Sequence, residues 1–336
     1  MAGGVMGSYI IRRTLINIPV ILIVATLVFF ATNVLPGDFV AQKIAQNNPQ
    51  GEGGREAVEA QIQKVREDLG LNDPLMVQYV KYIGNLLRGD FGDSYQSSTS
   101  ALEDFKEGAP YTLQLSLMAL AIALVTSIPI GIISAVRQDG WLDYVLRFFA
   151  IFFVAAPNFW VATMLLLYVV RGVGIGPITI GWEVPVTDHP LLWEDPGGSL
   201  RLFILPAIAG GLASGAGIMR LLRSQMLEVL RQDYIRTAWA KGVRERVIII
   251  RHALKNALIP VLTVIGLTIA ALLSGNVVFE YIFNIPGIGR RILNAVYRRD
   301  VPVIQSFVVI IATFVVFVNL FIDVLYGLID PRVRLA

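Results

Sequence analysis

The sequence predicts an all-α integral membrane protein with six transmembrane helices and a small helical external segment between the first and second spans. Three observations predict it. Of 336 residues, 55% are hydrophobic and 16% charged, against about 25% charged in typical soluble domains. The apolar residues are bunched into six stretches free of Asp, Glu, Lys and Arg. The basic residues concentrate in one connecting segment. This composition excludes a soluble enzyme, a disordered tail and a nucleic-acid binder. Cysteine is absent, which excludes disulfides, thiolate metal sites and cysteine nucleophiles. The two histidines, His189 and His252, are too far apart to suggest a metal cluster, and no metal site is expected.

The charge-free stretches are Thr14–Val34, Tyr111–Val136, Phe148–Val170, Leu202–Met219, Asn256–Phe279 and Val301–Ile322. A helix rises about 1.5 Å per residue, so about 20 residues cross a hydrocarbon core of about 30 Å. Each stretch is therefore a candidate span. Leu202–Met219 is the shortest and carries Gly210, Gly211, Gly215 and Gly217. Small residues let helices approach closely in a membrane, so it reads as a span, with a re-entrant segment as the alternative. Arg12 and Arg13 precede the first stretch as in a signal peptide, but its apolar run is long and no small-x-small cleavage site follows. It reads as a retained helix. The organisation is then 1–35 for the N-terminal end and first span, 36–110 for the external segment, and 111–336 for the core with a cytoplasmic loop at 220–257.

Orientation follows from Lys/Arg counts. Arg220–Lys255 holds nine Lys/Arg and three acids, whereas Pro36–Pro110 holds seven Lys/Arg and twelve acids. The basic segment reads as cytoplasmic and the acidic one as external, which places both termini inside. Arg290, Arg291, Arg298 and Arg299 break the pattern by falling outside. Within the external segment, Val58, Ile62, Val65 and Leu69 recur on one helical face. Pro74 opens a second helix through Leu87, and Asn47–Gly54 reads as a flexible tip.

No G-x-x-x-x-G-K-[ST] phosphate loop is present. Gly172, Gly174 and Gly176 lack dinucleotide spacing and read as a helix terminator. No Ser/His/Asp or paired-carboxylate arrangement stands out, so no catalytic residue is assigned. Ion-coupled transporters hold ions with intramembrane acids or histidines, but here Glu280 and Asp323 lie only at span ends, as interfacial caps or solvated groups. Asn158, Asn276 and Asn319 either contact polar cargo along a pathway or join helices by hydrogen bonds. A mostly uncharged pathway implies that energy comes from a partner.

Within the basic segment, Leu221, Leu222, Met226, Val229 and Leu230 form an apolar stripe. Asp233 is placed to cap a short helix over Tyr234–Lys241, ended by Gly242. Small Ala238 and Ala240 suit close approach to another protein. R-T-A-W-A-K-G at 236–242, followed by R-H-A-L-K-N-A-L-I-P at 251–260, resembles the cytoplasmic EAA loop of ABC importer permeases, in the form of the dipeptide/oligopeptide (peptide/nickel) subfamily's B-type permease. The resemblance extends over almost the whole chain. It includes Leu35-Pro36-Gly37-Asp38, Leu69 to Pro74, Arg88 to Ser94, Glu280 to Gly289, and Asp323 to Arg334 with Tyr326 and Asp330-Pro331-Arg332. Relative to the general EAA pattern, Arg236-Thr237-Ala238 occupy the E-A-A positions and Gly242 matches. His252 stands for Ile, Leu254 matches, and Lys255 replaces Pro, as in the peptide subfamily. Trp239 stands where that subfamily usually has Arg.

The resemblance implies a type I ABC importer transmembrane domain in a bacterial or archaeal cytoplasmic membrane. Its partners would be a second homologous permease in a heterodimer, two ATPase subunits and an external substrate-binding protein. ATP and Mg would lie on the ATPases, with no cofactor on this chain. The implied coupling surface is Asp233, Tyr234, Ile235, Arg236, Thr237, Ala238, Trp239, Ala240, Lys241 and Gly242. The implied external gate or receiving loop holds Glu280, Phe283, Pro286, Gly287 and Gly289. The expected cargo is a dipeptide or oligopeptide, with nickel, glutathione or another small solute as same-family alternatives. An ion-coupled secondary transporter is the alternative outside the family.

Overall fold

The computed structural model describes residues 2–34, 40, 44, 54–97, 99–170, 189–273 and 276–329. The motif at 35–38, most of the tip at 47–54, the glycines at 172, 174 and 176, and the C-terminal motif from 330 lie outside them. The chain divides into two units, Met1–Gly108 with Arg291–Ala336, and Ala109–Arg290.

The first unit is built on α1 (Ala2–Val34) packed along α13 (Val301–Ile329). Both are apolar enough to face lipid, and polar groups supply their register. Gln305 Nε2 donates to Thr32 Oγ1 at 2.7 Å in a buried bond. Such a pair is specific because unpaired polar groups in a dry environment are costly. Helix α2 (Gly54–Asp68) buries Val58, Ile62 and Val65 against Val40 and Ile44. Leu69, the fourth member of the expected stripe, is instead exposed, and Leu71 takes its place. The helix stops at Asp68 and Gly70 turns the chain at φ +66°, so the 3.6-residue period ends one residue too early for Leu69. Helix α3 (Leu75–Leu87) starts after Pro74 as expected. It lies against α1 through Phe29, which stacks on Tyr82 and meets Tyr79 edge-on. The loop 94–97 wraps the buried carboxylate of Asp300, which accepts from Ser94 Oγ at 2.5 Å and from the Tyr95 amide at 3.0 Å. Burial, and next the Asp300 charge, push the Tyr95 hydroxyl up to about 12. The arginines that broke the charge pattern are partly matched in place, since Arg291 pairs with Asp104 and Glu107.

The second unit centres on α7 (Pro196–Leu230), a continuous helix that is more than half buried over its apolar window. Its continuity sets aside the re-entrant alternative for 202–219. The glycines explain the burial. A Cβ at Gly211 would stand 2.7 Å from the Ala119 carbonyl, and one at Gly215 would stand 3.0 Å from that of Ala123. Both carbonyls belong to α4 (Ala101–Val136). Two spans thus touch backbone to backbone, gaining dispersion contacts that larger side chains would forbid. One core gathers Leu115, Phe203, Ala207, Phe279, Phe283 and Ile285. A second gathers Leu222, Met226, Ile235, Ile248, Ala257 and Val261.

The third predicted span is corrected. Phe148–Val170 is not one helix but α5 (Trp141–Ala155) and α6 (Asn158–Val170), bent by 105° at the break. Pro157 disfavours the helical region for the residue before it, and Ala156 accordingly sits at φ −71°, ψ 131°. The described residues therefore hold five helices long and apolar enough to span a membrane, plus this bent pair, which makes six if the pair is one span.

Candidate functional site

Helix α8 (Asp233–Ala240) follows α7 after a two-residue turn. It has one fully buried residue, Ile235, and half-buried Ala238 on the same face. Both pack with Leu222 and Met226 of α7 and with Ala257 and Val261 of α10 (Lys255–Leu273). Asp233, Tyr234, Arg236, Thr237, Trp239, Ala240 and Lys241 are exposed. Two expectations change. Asp233 is the first helical residue rather than the cap; Gln232 holds the cap position and makes no side-chain capping bond. Asp233 instead adds negative charge to the first turn, where the helix dipole favours it, and Arg236 approaches it at 3.5 Å. Ala238 faces the chain's own core, leaving Ala240 as the small residue on the outer face.

The C-terminus of α8 is built for a sharp stop. Gly242 has φ +72°. Its amide donates to the Trp239 carbonyl at 3.0 Å and that of Val243 to Ala238 at 3.2 Å. This double closure is the Schellman arrangement, with its apolar contact supplied by Val243 and Ala238, both packed on the same core. Glycine is needed because a Cβ is disfavoured at that φ. After α9 (Glu245–Val247), a π-helical stretch at Ile248–Leu254 leads into α10. Ile248 and Ala253 of this stretch are fully buried against α8's support. Asn256 Nδ2 donates to the Tyr234 hydroxyl at 2.8 Å, a further tie to α10.

The segment after α10 forms a closed box. Helix α11 (Val277–Ile282) carries Glu280, which is wholly buried rather than interfacial or solvated. Thr112 Oγ1 donates to Glu280 Oε1 at 2.6 Å and accepts from the Ile288 amide at 2.8 Å. The Arg290 amide donates to Oε2 at 3.0 Å. Glu280 therefore caps α12 (Ile288–Arg298), whose first amides would otherwise lack partners. Burial pushes the Glu280 carboxyl up from its ordinary value, while the Thr112 hydroxyl and the amides of Arg290 and Gly289 pull it down. A Cβ on Gly287 would collide with the Glu280 carboxylate, and one on Gly289 would stand 2.7 Å from Val277 Cα. Phe283 is buried beside Ile285 in the first core. The expected group Glu280, Phe283, Pro286, Gly287 and Gly289 thus lies in one contiguous turn, with Arg290 Nη1 donating to the Asn284 carbonyl at 2.9 Å.

The three asparagines are not brought together. Asn276 Nδ2 donates to Ser116 Oγ at 3.3 Å, and Ser116 donates to the Leu272 carbonyl at 2.7 Å, so Asn276 joins helices. Asn158 is exposed at the start of α6, and Asn319 is exposed on α13. Sequence reasoning missed one polar centre. Asp143 of α5 is fully buried, and Arg223 of α7 binds it with two bonds at 2.9 and 2.7 Å. Ser134 of α4 donates to the same carboxylate, as does the Asp139 amide at 3.1 Å. The only sequence signal was a lone acid five residues before a charge-free run, which does not name its partner.

Residues 127–335 match the family model described as binding-protein-dependent transport system inner membrane component. Residues 6–116 match the model for the N-terminal part of such membrane components. The chain is 39% identical over 334 residues to the oligopeptide transport system permease protein AppB of Bacillus subtilis (strain 168), covering 98% of this chain and all of the relative. It is 40% identical over 341 residues to the dipeptide transport system permease protein DppB of Alkalihalophilus pseudofirmus, with 98% and 100% coverage. The corresponding DppB of Escherichia coli (strain K12) is 36% identical over 344 residues, with 98% and 99% coverage. An all-helical, multi-pass fold and full-length similarity agree, and the chain belongs to the family of binding-protein-dependent transport system inner membrane components, as a transport permease.

Proposed function

We propose that this chain is a permease subunit of an ABC importer for dipeptides or oligopeptides, driven by separate ATPase subunits through α8. The cargo assignment is supported by the names of full-length relatives, which are dipeptide and oligopeptide permeases. The mechanical assignment is carried by one observation. Helix α8 presents an exposed polar and aromatic face while its inner face is held by Ile235, Ala238 and Val243 to two long helices. A force on α8 reaches α7 and α10 as a rigid-body displacement, because a close-packed contact does not absorb it. The ATPase pair, binding and hydrolysing ATP with Mg, supplies the differential affinity that such a shift requires.

In this reading the loop between α7 and α10 is cytoplasmic, as are both termini. The acidic segment 36–110 and the Glu280–Gly289 turn face outward and receive cargo from a binding protein. The pathway is shared with a second, homologous permease. Arg236 and Lys241 steer docking; exposed ion pairs contribute at most about 1 kcal/mol, so shape carries the coupling. The test uses Ala240→Arg, which displaces nothing in the chain's own core. In assembled importer, labelled-dipeptide uptake falls at least tenfold while ATP hydrolysis persists. Uptake at the parental rate in an assembled Ala240→Arg complex refutes the coupling role. Normal coupling with no peptide uptake refutes the cargo.

A further inference from the structure

One arginine-lined cavity of the second unit lies outside the residues assigned above to coupling and to the external turn. It encloses about 400 Å³ and is lined by Gln138, Asp139, Arg147, Ile151, Arg220 and Arg223. Its charges are unequally committed. Arg223 is engaged by Asp143. Arg147 lies 3.6 Å from the same carboxylate, with 40% of its side chain exposed and its guanidinium over the Tyr144 ring. Asp139 takes a hydrogen bond from Gln138 at 3.1 Å. Arg220 is exposed and makes no ion pair among the described residues. Three arginines against Asp139 and Asp143 leave one positive charge over, aimed into a cavity.

The depth of this cavity is set by sequence. Arg147 immediately precedes the charge-free run 148–170, and Arg220 immediately follows 202–219. Arg137, beside the lining residue Gln138, immediately follows 111–136. Three apolar runs therefore end at one level, where hydrocarbon gives way to headgroups. Trp141 and Tyr144, in the two turns of α5 before this run, are exposed, as interfacial aromatics are. The cavity's one apolar lining residue is exposed Ile151 of α5, and Phe148 and Phe152 of the same helix are exposed as well.

We propose that the Arg147–Arg220 cavity seats the phosphodiester of an anionic phospholipid in the cytoplasmic leaflet, with its acyl chains along the exposed face of α5. Guanidinium groups match phosphate oxygens in charge and geometry, and basic pockets between helices at the cytoplasmic boundary hold anionic headgroups. A soluble anion satisfies the arginines but leaves Ile151 and the exposed phenylalanines of α5 uncovered. The choice of leaflet rests on the permease reading; the lipid site does not depend on transport.

The test is native mass spectrometry of the importer, purified with its partner subunits and exchanged into phosphatidylcholine nanodiscs with increasing phosphatidylglycerol. Arg147→Gln with Arg220→Gln leaves the Asp143–Arg223 pair intact. This variant is expected to need about tenfold more phosphatidylglycerol for half-occupancy, equivalent to about 1.4 kcal/mol. Arg251→Gln, an exposed cation elsewhere in the same unit, is expected to retain the lipid as the parent does. Equal retention in the double variant and the parent overturns the proposal, as does an equal loss in Arg251→Gln. Displacement of the lipid by inorganic phosphate alone overturns it too, by identifying a soluble-anion site.

Discussion

Replacing Thr112 by Val tests whether the Glu280 box holds α12 in place. The two side chains have nearly the same shape, so packing changes little and the hydroxyl is the variable. Thr112 is 2% exposed and its hydroxyl serves two partners, Glu280 Oε1 at 2.6 Å and the Ile288 amide at 2.8 Å. Losing a hydrogen bond to a charged group costs about 1.5–3 kcal/mol, and stranding a buried amide costs about 1–3 kcal/mol. Taking values near the lower ends gives about 3 kcal/mol for local opening of the turn. The amides of Ile288 and Arg290 then exchange roughly 150-fold faster if they exchange by that opening. Thr112→Ser keeps the hydroxyl and deletes one methyl group, about 0.8 kcal/mol, or roughly fourfold. Hydrogen exchange read by mass spectrometry over residues 284–292 of assembled importer makes the comparison. Parental exchange in Thr112→Val, or equal acceleration in Thr112→Ser, refutes the capping argument.

The same box has a pH signature. Because the folded carboxyl of Glu280 titrates above its ordinary 4.5, the folded state binds its proton more tightly than the unfolded chain. The Glu280 contribution to stability therefore falls as pH rises from about 4.5 to the raised value and is flat above it. Thermal unfolding of the parent minus that of Glu280→Gln isolates this slope; a difference that rises with pH in that window contradicts it. Asp143→Asn leaves Arg223 without its counter-charge and costs about 3–5 kcal/mol, whereas Asp143→Leu with Arg223→Met recovers most of it. Heat-scanned protease resistance in membranes ranks the three, and a double variant as weak as the single one counts against the pairing. Gly211→Val forces a side chain where even a Cβ stands 2.7 Å from the Ala119 carbonyl. Overpacking of about 1–3 kcal/mol lowers the unfolding temperature of this variant, while Gly217→Val, with open space at its Cβ, is tolerated.

Much of the architecture was legible because a membrane simplifies the rules. Backbone groups in hydrocarbon satisfy one another within a helix, so the charge-free runs mark the spans with little further information. The short helix at Asp233 and its stop at Gly242 were equally readable, since positive φ at a helix end selects glycine. The fold class and the position of this short helix follow from local physics, whereas its coupling role was implied only by the family resemblance. Where local signals competed, neighbours decided. Pro157 broke a span, yet Pro206 and Pro260 lie within unbroken helices. Ala238 and Ala240 are the same residue type two positions apart, and only the packing of α7 and α10 makes one inward and the other outward.

Sequence by itself determined the number of apolar runs, the charge asymmetry among loops and the helix–stop–helix order of the basic segment from Asp233 on, because each depends on residues near one another in the chain. Tertiary structure alone decided that Glu280 is a buried cap rather than a solvated acid, that Arg223 answers Asp143 eighty residues away, and that Asn276 binds Ser116. Composition cannot assign these partners, because the energy of a polar group in a dry interior depends on which other group reaches it.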